Sequence, residues 1–181
     1  NLEKAKSTPQ ELETQDPIGD ALPEAFETSG HKTIAEVVAF DGIPESSHIK
    51  SIVMVVPEEA GPRPLLLLLR GDHQLNEAKL SILVSSTEVR LAHPEEVQEW
   101  FGADVGSIGP VGISSMEIIA DQALKGRCNL VAGANRNDWH LRNVTPGRDF
   151  EARFEDLREV AAGDRCPRCG LTLELKKRIE V

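Results

Sequence analysis

His48-Ile49-Lys50-Ser51-Ile52-Val53-Met54-Val55-Val56 is rich in β-branched residues and is closed by Pro57, which cannot donate to a sheet ladder. It reads as a strand. After a loop from Glu58 to Pro64 comes Leu65-Leu66-Leu67-Leu68-Leu69-Arg70, whose apolar run predicts a second strand buried on both faces. The two together predict a hairpin deep in a sheet. Lys50 is the anomaly in it. By period-2 alternation it shares a face with Ile52 and Met54, and burying an ammonium is costly without a partner. It is either a functional cation or an edge residue whose stem snorkels to water, and the pattern alone leaves both readings open.

Upstream of the hairpin, Thr33-Ile34-Ala35-Glu36 has capping-box spacing, a hydroxyl followed three residues later by a carboxylate, ahead of Val37, Val38 and Phe40. A helix is expected to run to about Asp41 and stop at Gly42, with Ile34, Val37 and Val38 on one apolar face. The first 30 or so residues mix Pro9, Pro17, Pro23, Gly19 and Gly30 with acids and read as an extended lead-in. Downstream, the pattern predicts short helices over Asn76–Leu83 and Pro94–Phe101, and strands over Val89–Ala92, Met116–Ala120 and Trp139–Val144. Asn129–Ala134 is ambiguous. Asp149–Val181 forms a tail of different character, in which Leu171–Val181 alternates like a strand. Strands and short helices interleave without a βαβ rhythm, so the expected class is α+β with a mixed or partly closed sheet.

The 181 residues suit one well-buried domain, and the longest apolar run, Leu65–Leu69, is far too short to span a bilayer. The N-terminal residues carry charges and prolines where a signal peptide needs an apolar core, and three cysteines make no disulfide framework, so the expected location is the cytoplasm. The formal net charge of -10 argues against a module that grips nucleic acid by itself, which needs a basic face. Half of that excess comes from residues 1–30, with seven acids against two bases.

Gly106-Ser107-Ile108-Gly109-Pro110, with Val111-Gly112 after it, cannot continue a helix or a central strand. It is either a tight turn or a shaped loop whose side-chain-free N–H groups hold a carbonyl or phosphate oxygen. Cys166-Pro167-Arg168-Cys169-Gly170 has the form of half a zinc knuckle, but a full site needs two more ligands and only Cys128 and His140 are near in sequence. We read it as an empty turn or a ribbon remnant, so no metal site is expected. His140 reads as a satisfied strand histidine, Cys128 as a small core residue, and no P-loop, dinucleotide fingerprint or nucleophile signature is present.

In order along the chain, Lys32-Thr33-Ile34-Ala35-Glu36-Val37, Ile49-Lys50-Ser51, Leu69-Arg70-Gly71-Asp72-His73-Gln74-Leu75-Asn76-Glu77-Ala78-Lys79, Gly106–Pro110, Ala132-Gly133-Ala134-Asn135 and Asp164–Gly170 resemble the blocks of the editing domain inserted into bacterial-type prolyl-tRNA synthetase, related to free-standing deacylases of the YbaK type. The resemblance covers nearly the whole chain. Asn1–Ala5 looks like the end of the synthetase segment before the insertion and Arg178–Val181 like the re-entry, which divides the chain into a lead-in (1–27) and an editing domain (28–181) with a return segment (149–181).

The resemblance implies a mixed, partly closed β-sheet or barrel flanked by short helices, and hydrolysis of alanine wrongly attached to proline tRNA. It places Lys50 on the lysine needed for deacylation, Gly106, Gly109 and Pro110 in the loop that receives the aminoacyl end, and Ile34 and Val37 in the amino-acid pocket. Thr28, Asp121 and His140 match polar positions around the site. Ser51 departs from the threonine of many relatives and Val37 from a frequent leucine. The editing domain is expected to use no cofactor, while ATP and magnesium serve a parent synthetase, expected as a homodimer, that supplies the other partner surfaces. The chemistry agrees with the lack of a nucleophile motif: an aminoacyl ester is already reactive, so orienting a water and stabilising an oxyanion suffices. The competing reading is a non-catalytic tRNA-docking or metal-stabilised module.

Overall fold

The computed structural model describes residues 5–8 and 16–174. Its centre is the predicted hairpin: β2 (Ile49–Val56) pairs antiparallel with β3 (Arg63–Arg70), placing Lys50 opposite Leu69 and Met54 opposite Leu65. Leu65 to Leu69 are all fully buried, as a run with apolar residues on both faces requires. The alternation splits them. Leu66 and Leu68 join Val53, Phe101, Ile108 and Leu130 in one core, whereas Leu65, Leu67 and Leu69 join Met54, Leu80 and Leu157 in the other.

Around this hairpin a five-stranded sheet has the order β4-β2-β3-β5-β8, where β4 is Arg90–Leu91, β5 is Glu117–Asp121 and β8 is Arg153–Glu155. β5 runs parallel to both β3 and β8, so the sheet is mixed. A second sheet, β1-β7-β6, is antiparallel and built from β1 (Glu24–Glu27), β7 (Trp139–Val144) and β6 (Leu130–Gly133). A bridge between His48 and Val131 joins the start of β2 to β6, which links the sheets at one corner. The α+β, partly closed architecture therefore stands as read from the pattern.

Among the described residues the α-helices are three, each of eight residues, and they lie where their caps place them. α1 (Ile34–Asp41) begins at Thr33 with both bonds of the capping box and ends at Gly42. α2 (Glu77–Val84) is capped by the Asn76 side chain, and α3 (Pro94–Phe101) starts on proline and ends at Gly102.

Four segments differ from the expectation or add to it. The lead-in is not merely extended: Glu24–Glu27 is a strand paired with β7, and before it Asp16 forms a buried ion pair with Arg127 while Asn129 Nδ2 donates to the carbonyls of Pro17 (2.5 Å) and Gly19 (3.0 Å). Partners more than 100 residues away leave no local sequence signal. The ambiguous segment Asn129–Ala134 contains β6, and the mixed, charged Arg153–Val160 contributes β8. Of the tail strand read over Leu171–Val181, residues 175–181 lie outside the described residues, and the remainder makes an isolated bridge, Thr172 to Arg165. Cys166 and Cys169 sit in a turn closed by the Gly170 N–H donating to the Cys166 carbonyl at 2.8 Å. Among the described residues no three His, Cys, Asp or Glu side chains gather as metal ligands would.

Candidate active site

Where the two sheets meet, the start of β2, the N-terminus of α1 and the glycine loop enclose a cavity of about 240 Å3. Ile34 comes from α1, Ile49, Lys50 and Ser51 from β2, Gly106 and Ile108 from the loop, and Gly133 and His140 from the second sheet. One wall is therefore apolar, and two cations, Lys50 and the more exposed Lys32 at the entrance to α1, and two backbone segments converge on it.

Lys50 is neither a snorkelling side chain nor a free cation. At its register β2 is paired with β3, through Leu69, while β4 reaches only Met54 and Val55; the lysine stem is half-buried and its Nζ, instead of snorkelling to water, donates to the carbonyl oxygen of His73 at 2.6 Å. Burial holds the ammonium below the ordinary lysine range, while the charges of Glu45 and Asp72 work against that. The turn that supplies the carbonyl is stiffened by a two-point pair, in which Arg70 Nε and Nη2 donate to the Asp72 carboxylate at 2.6 and 2.8 Å. His73 itself is buried, with an Nδ1 that has no partner, and desolvation together with the Arg70 charge lowers it to about 4. It is neutral at physiological pH.

His140 is buried at the back of the cavity. Its Nδ1 lies 2.7 Å from the Thr28 hydroxyl, and a hydrogen bond with the Gly106 backbone favours its protonated form, as a carbonyl acceptor does. A ring that donates from Nε2 to that carbonyl accepts at Nδ1 from the threonine hydroxyl. Burial is the larger influence and lowers its basicity, with the nearby His48 acting in the same sense. A hydroxyl on a histidine nitrogen has the form of a nucleophile and its base. Thr28, however, is fully buried behind the ring and does not line the cavity. It orients the imidazole instead.

The residues assigned by the resemblance are thus brought together only in part. Lys50, Ile34, Gly106 and His140 line one cavity, and Thr28 stands one layer behind. Val37 does not line it: it is fully buried, because the helix turn that points Ile34 at the cavity turns Val37 into the protein. Gly109 and Pro110 are also buried and off the cavity surface. Gly109 is needed because a Cβ there would run into the carbonyl oxygen of Gly133, so its role is close packing of two backbones. Asp121 is remote from this cavity and borders a second hollow formed with Ser7, Asp156 and Arg158. Its carboxylate accepts from the N–H groups of Ala123, Leu157 and Arg158 at 2.9, 2.9 and 3.1 Å, the work of a structural clamp. Two residues to which the sequence assigned no role also belong here: Ser51, whose buried Oγ has no hydrogen-bond partner, and Asn135, which bonds the glycine loop from the β6–β7 turn. Nothing local in the sequence marks the Asn135 side chain.

The aminoacyl-tRNA editing domain profile matches residues 28–150, which takes in every residue lining the cavity. The chain belongs to the aminoacyl-tRNA editing domain family. Editing-domain relatives in sequence include the proline–tRNA ligase of Acidobacterium capsulatum, 40% identical over 196 residues, and that of Geobacter sulfurreducens, 43% identical over 183 residues. Both matches span 100% of this chain but only 34% and 31% of those ligases, so the chain spans about a third of the length of the curated relatives it matches. In three dimensions it is similar to a crystal structure described as a candidate trans-editing enzyme for prolyl tRNA synthetase, with a TM-score of 0.63 and 27% identity over 76% of this chain and 87% of that one.

Proposed function

We propose that this chain is the editing domain of a proline–tRNA ligase and hydrolyses alanine from mischarged proline tRNA. The observation that carries the reading is the cavity itself, where the Lys50 ammonium, loop backbone and an apolar wall meet, and where the lining Ser51 hydroxyl is bonded to no base. Family membership and the ligase relatives support it. In the reaction, water attacks the ester carbonyl carbon, the carbonyl oxygen becomes an oxyanion, and the bond to the terminal ribose oxygen breaks, leaving free amino acid and a ribose hydroxyl. Backbone N–H groups of the glycine loop stabilise the oxyanion. Lys50, fixed by the His73 carbonyl, places positive charge beside the ester or the terminal phosphate. Ile34 limits the space for the amino-acid side chain, and His140, oriented by Thr28, lines the floor.

The acidic net charge accords with delivery of the tRNA by a larger enzyme that supplies the basic surface. On this reading residues 1–27 lead in from the synthetase body, residues 149–181 return to it, and ATP and magnesium act only in the parent. Steady-state hydrolysis of alanyl-tRNA and prolyl-tRNA, both carried on proline tRNA, tests the proposal. Release of alanine with prolyl-tRNA spared is the expected result, and equal inertness toward both would sink it.

A further inference from the structure

Asn135, in the turn between β6 and β7, adopts a left-handed backbone with φ 52° and makes three hydrogen bonds to the glycine loop. Its N–H donates to the Ser107 carbonyl at 2.8 Å, its Oδ1 accepts from the Gly109 N–H at 2.8 Å, and its Nδ2 donates to the Val111 carbonyl at 3.1 Å. The orientation of its amide is fixed, since one end meets a donor and the other an acceptor. The next turn residues add to the hold: the Asp138 N–H donates to Ser107 Oγ at 3.1 Å, and Asn137 Oδ1 accepts from the Asp104 N–H at 2.6 Å.

The donors of the loop can then be accounted for one by one. Pro110 has none. The Ser107 N–H is given to the Asp104 carbonyl at 3.1 Å and the Gly109 N–H to Asn135. The N–H groups of Gly106 and Ile108 have no hydrogen-bond partner among the described residues, and both residues line the cavity. We infer that Asn135 is a positioning residue for the hydrolytic reaction: by taking up the Gly109 N–H and the Val111 carbonyl it holds the loop in the one arrangement that leaves the Gly106 and Ile108 amides as the donors to the oxyanion. This rests on the deacylase reading and adds to it an atomic assignment of donors and of the side chain that sorts them.

Asn135→Gly separates the side chain from the backbone, because glycine accepts the left-handed φ and keeps the N–H bond to Ser107. The expected result is a loss of kcat of about a hundredfold with KM little changed, since donors aimed at the transition state are misplaced while ground-state contacts remain. Hydrogen exchange of the Gly109 amide accelerates in the same variant while the amides of β2 and β3 stay protected. Asn135→Asp keeps the acceptor for Gly109 but sets a carboxylate against the Val111 carbonyl, and it is expected to protect the Gly109 amide and to retain more kcat than the glycine variant. A folded Asn135→Gly chain with wild-type kcat, or with an undiminished Gly109 protection, overturns the inference alone. A wild-type chain that hydrolyses no aminoacyl ester overturns the deacylase reading and takes the catalytic role of Asn135 with it.

Discussion

Lys50 Nζ and the His73 carbonyl oxygen lie 2.6 Å apart, so this ammonium of the cavity wall is held by the turn that follows β3 rather than, as Lys32 is, by a carboxylate. A carbonyl satisfies one of three N–H bonds and neutralises no charge. The remaining donors are therefore available to an incoming ester or phosphate oxygen. The neighbouring carboxylate of Asp72 is already occupied by Arg70, which keeps it from closing on the lysine as a full ion pair.

Lys50→Ala is expected to reduce deacylation by about 10²–10³-fold, the cost of removing one donor from a charge-stabilising site. Stability should change little, by about 1 kcal/mol, because a single hydrogen bond to a carbonyl is lost and the desolvation of the ammonium is relieved at the same time. Single-turnover hydrolysis and thermal melting of the same sample check both halves. Retained activity would remove Lys50 from the mechanism.

His73 makes stability depend on pH in a defined window. Its folded-state value of about 4 lies below the ordinary 6.5, so above pH 6.5 both states are neutral and the residue contributes nothing. Between 6.5 and 4 the unfolded chain takes up a proton that the folded chain refuses, and stability falls as pH falls. Below that the loss levels off, at most on the order of 3 kcal/mol. His73→Gln keeps the backbone carbonyl that holds Lys50 and should flatten this part of the curve. Chemical denaturation at pH 7, 5.5 and 4 (roughly the ordinary, middle and shifted ends of the titration) compares the two chains. Parallel curves would show that His73 does not carry the dependence.

Gly109→Ala should damage fold and activity together. The added Cβ collides with the Gly133 carbonyl oxygen, and backbone on both sides leaves nothing flexible to give way. Ser107→Ala removes an acceptor from the part-buried Asp138 N–H, a cost of about 1 kcal/mol, yet leaves the loop backbone its course. Melting temperature and hydrolysis are expected to rank wild type, Ser107→Ala, Gly109→Ala in falling order. A Gly109→Ala chain as stable as wild type contradicts the close packing of the two glycines.

The hairpin, the helix caps and the mixed sheet were legible because each rests on local chemistry: β-branched runs, a hydroxyl and carboxylate at capping spacing, glycine after a helix end. β1 was not, since Glu24–Glu27 is held by β7 through pairings across more than 100 residues and its own four residues, two apolar between two acids, show neither alternation nor β-branching. The site divided along the same line. Lys50 stood out as a cation in an apolar strand, and the glycine loop as a break in regular structure. The distinction between lining and supporting residues could not be read, because Val37 and Gly109 differ from Ile34 and Gly106 in the direction the folded backbone turns them, and Asp121 is carried by β5 to a different hollow. Asn135 carries no pattern at all beyond its block, and its bonds exist only once the β6–β7 turn lies against the loop.

Amino-acid selection should rest on Ile34 and not on Val37. Proline is larger than alanine by two ring carbons, and an apolar pocket that merely attracts would favour proline, since a methylene is worth only about 1–3 kcal/mol in the wrong direction. Exclusion must be steric, and Ile34 is the α1 side chain on the cavity wall. Its helix is pinned there by the Thr33 capping box, so the wall is rigid at its base. Ile34→Ala is therefore expected to admit prolyl-tRNA and to lower the preference for alanyl-tRNA, with hydrolysis of the alanyl substrate kept. Val37→Ala, which empties a fully buried position, should instead cost stability, about 2 kcal/mol from the lost methyl groups and the cavity they leave, and leave the preference where it was. Rates on both aminoacyl-tRNAs together with denaturation curves separate the two. An unchanged preference in a folded Ile34→Ala chain, or a switched one in Val37→Ala, would place the selective wall elsewhere.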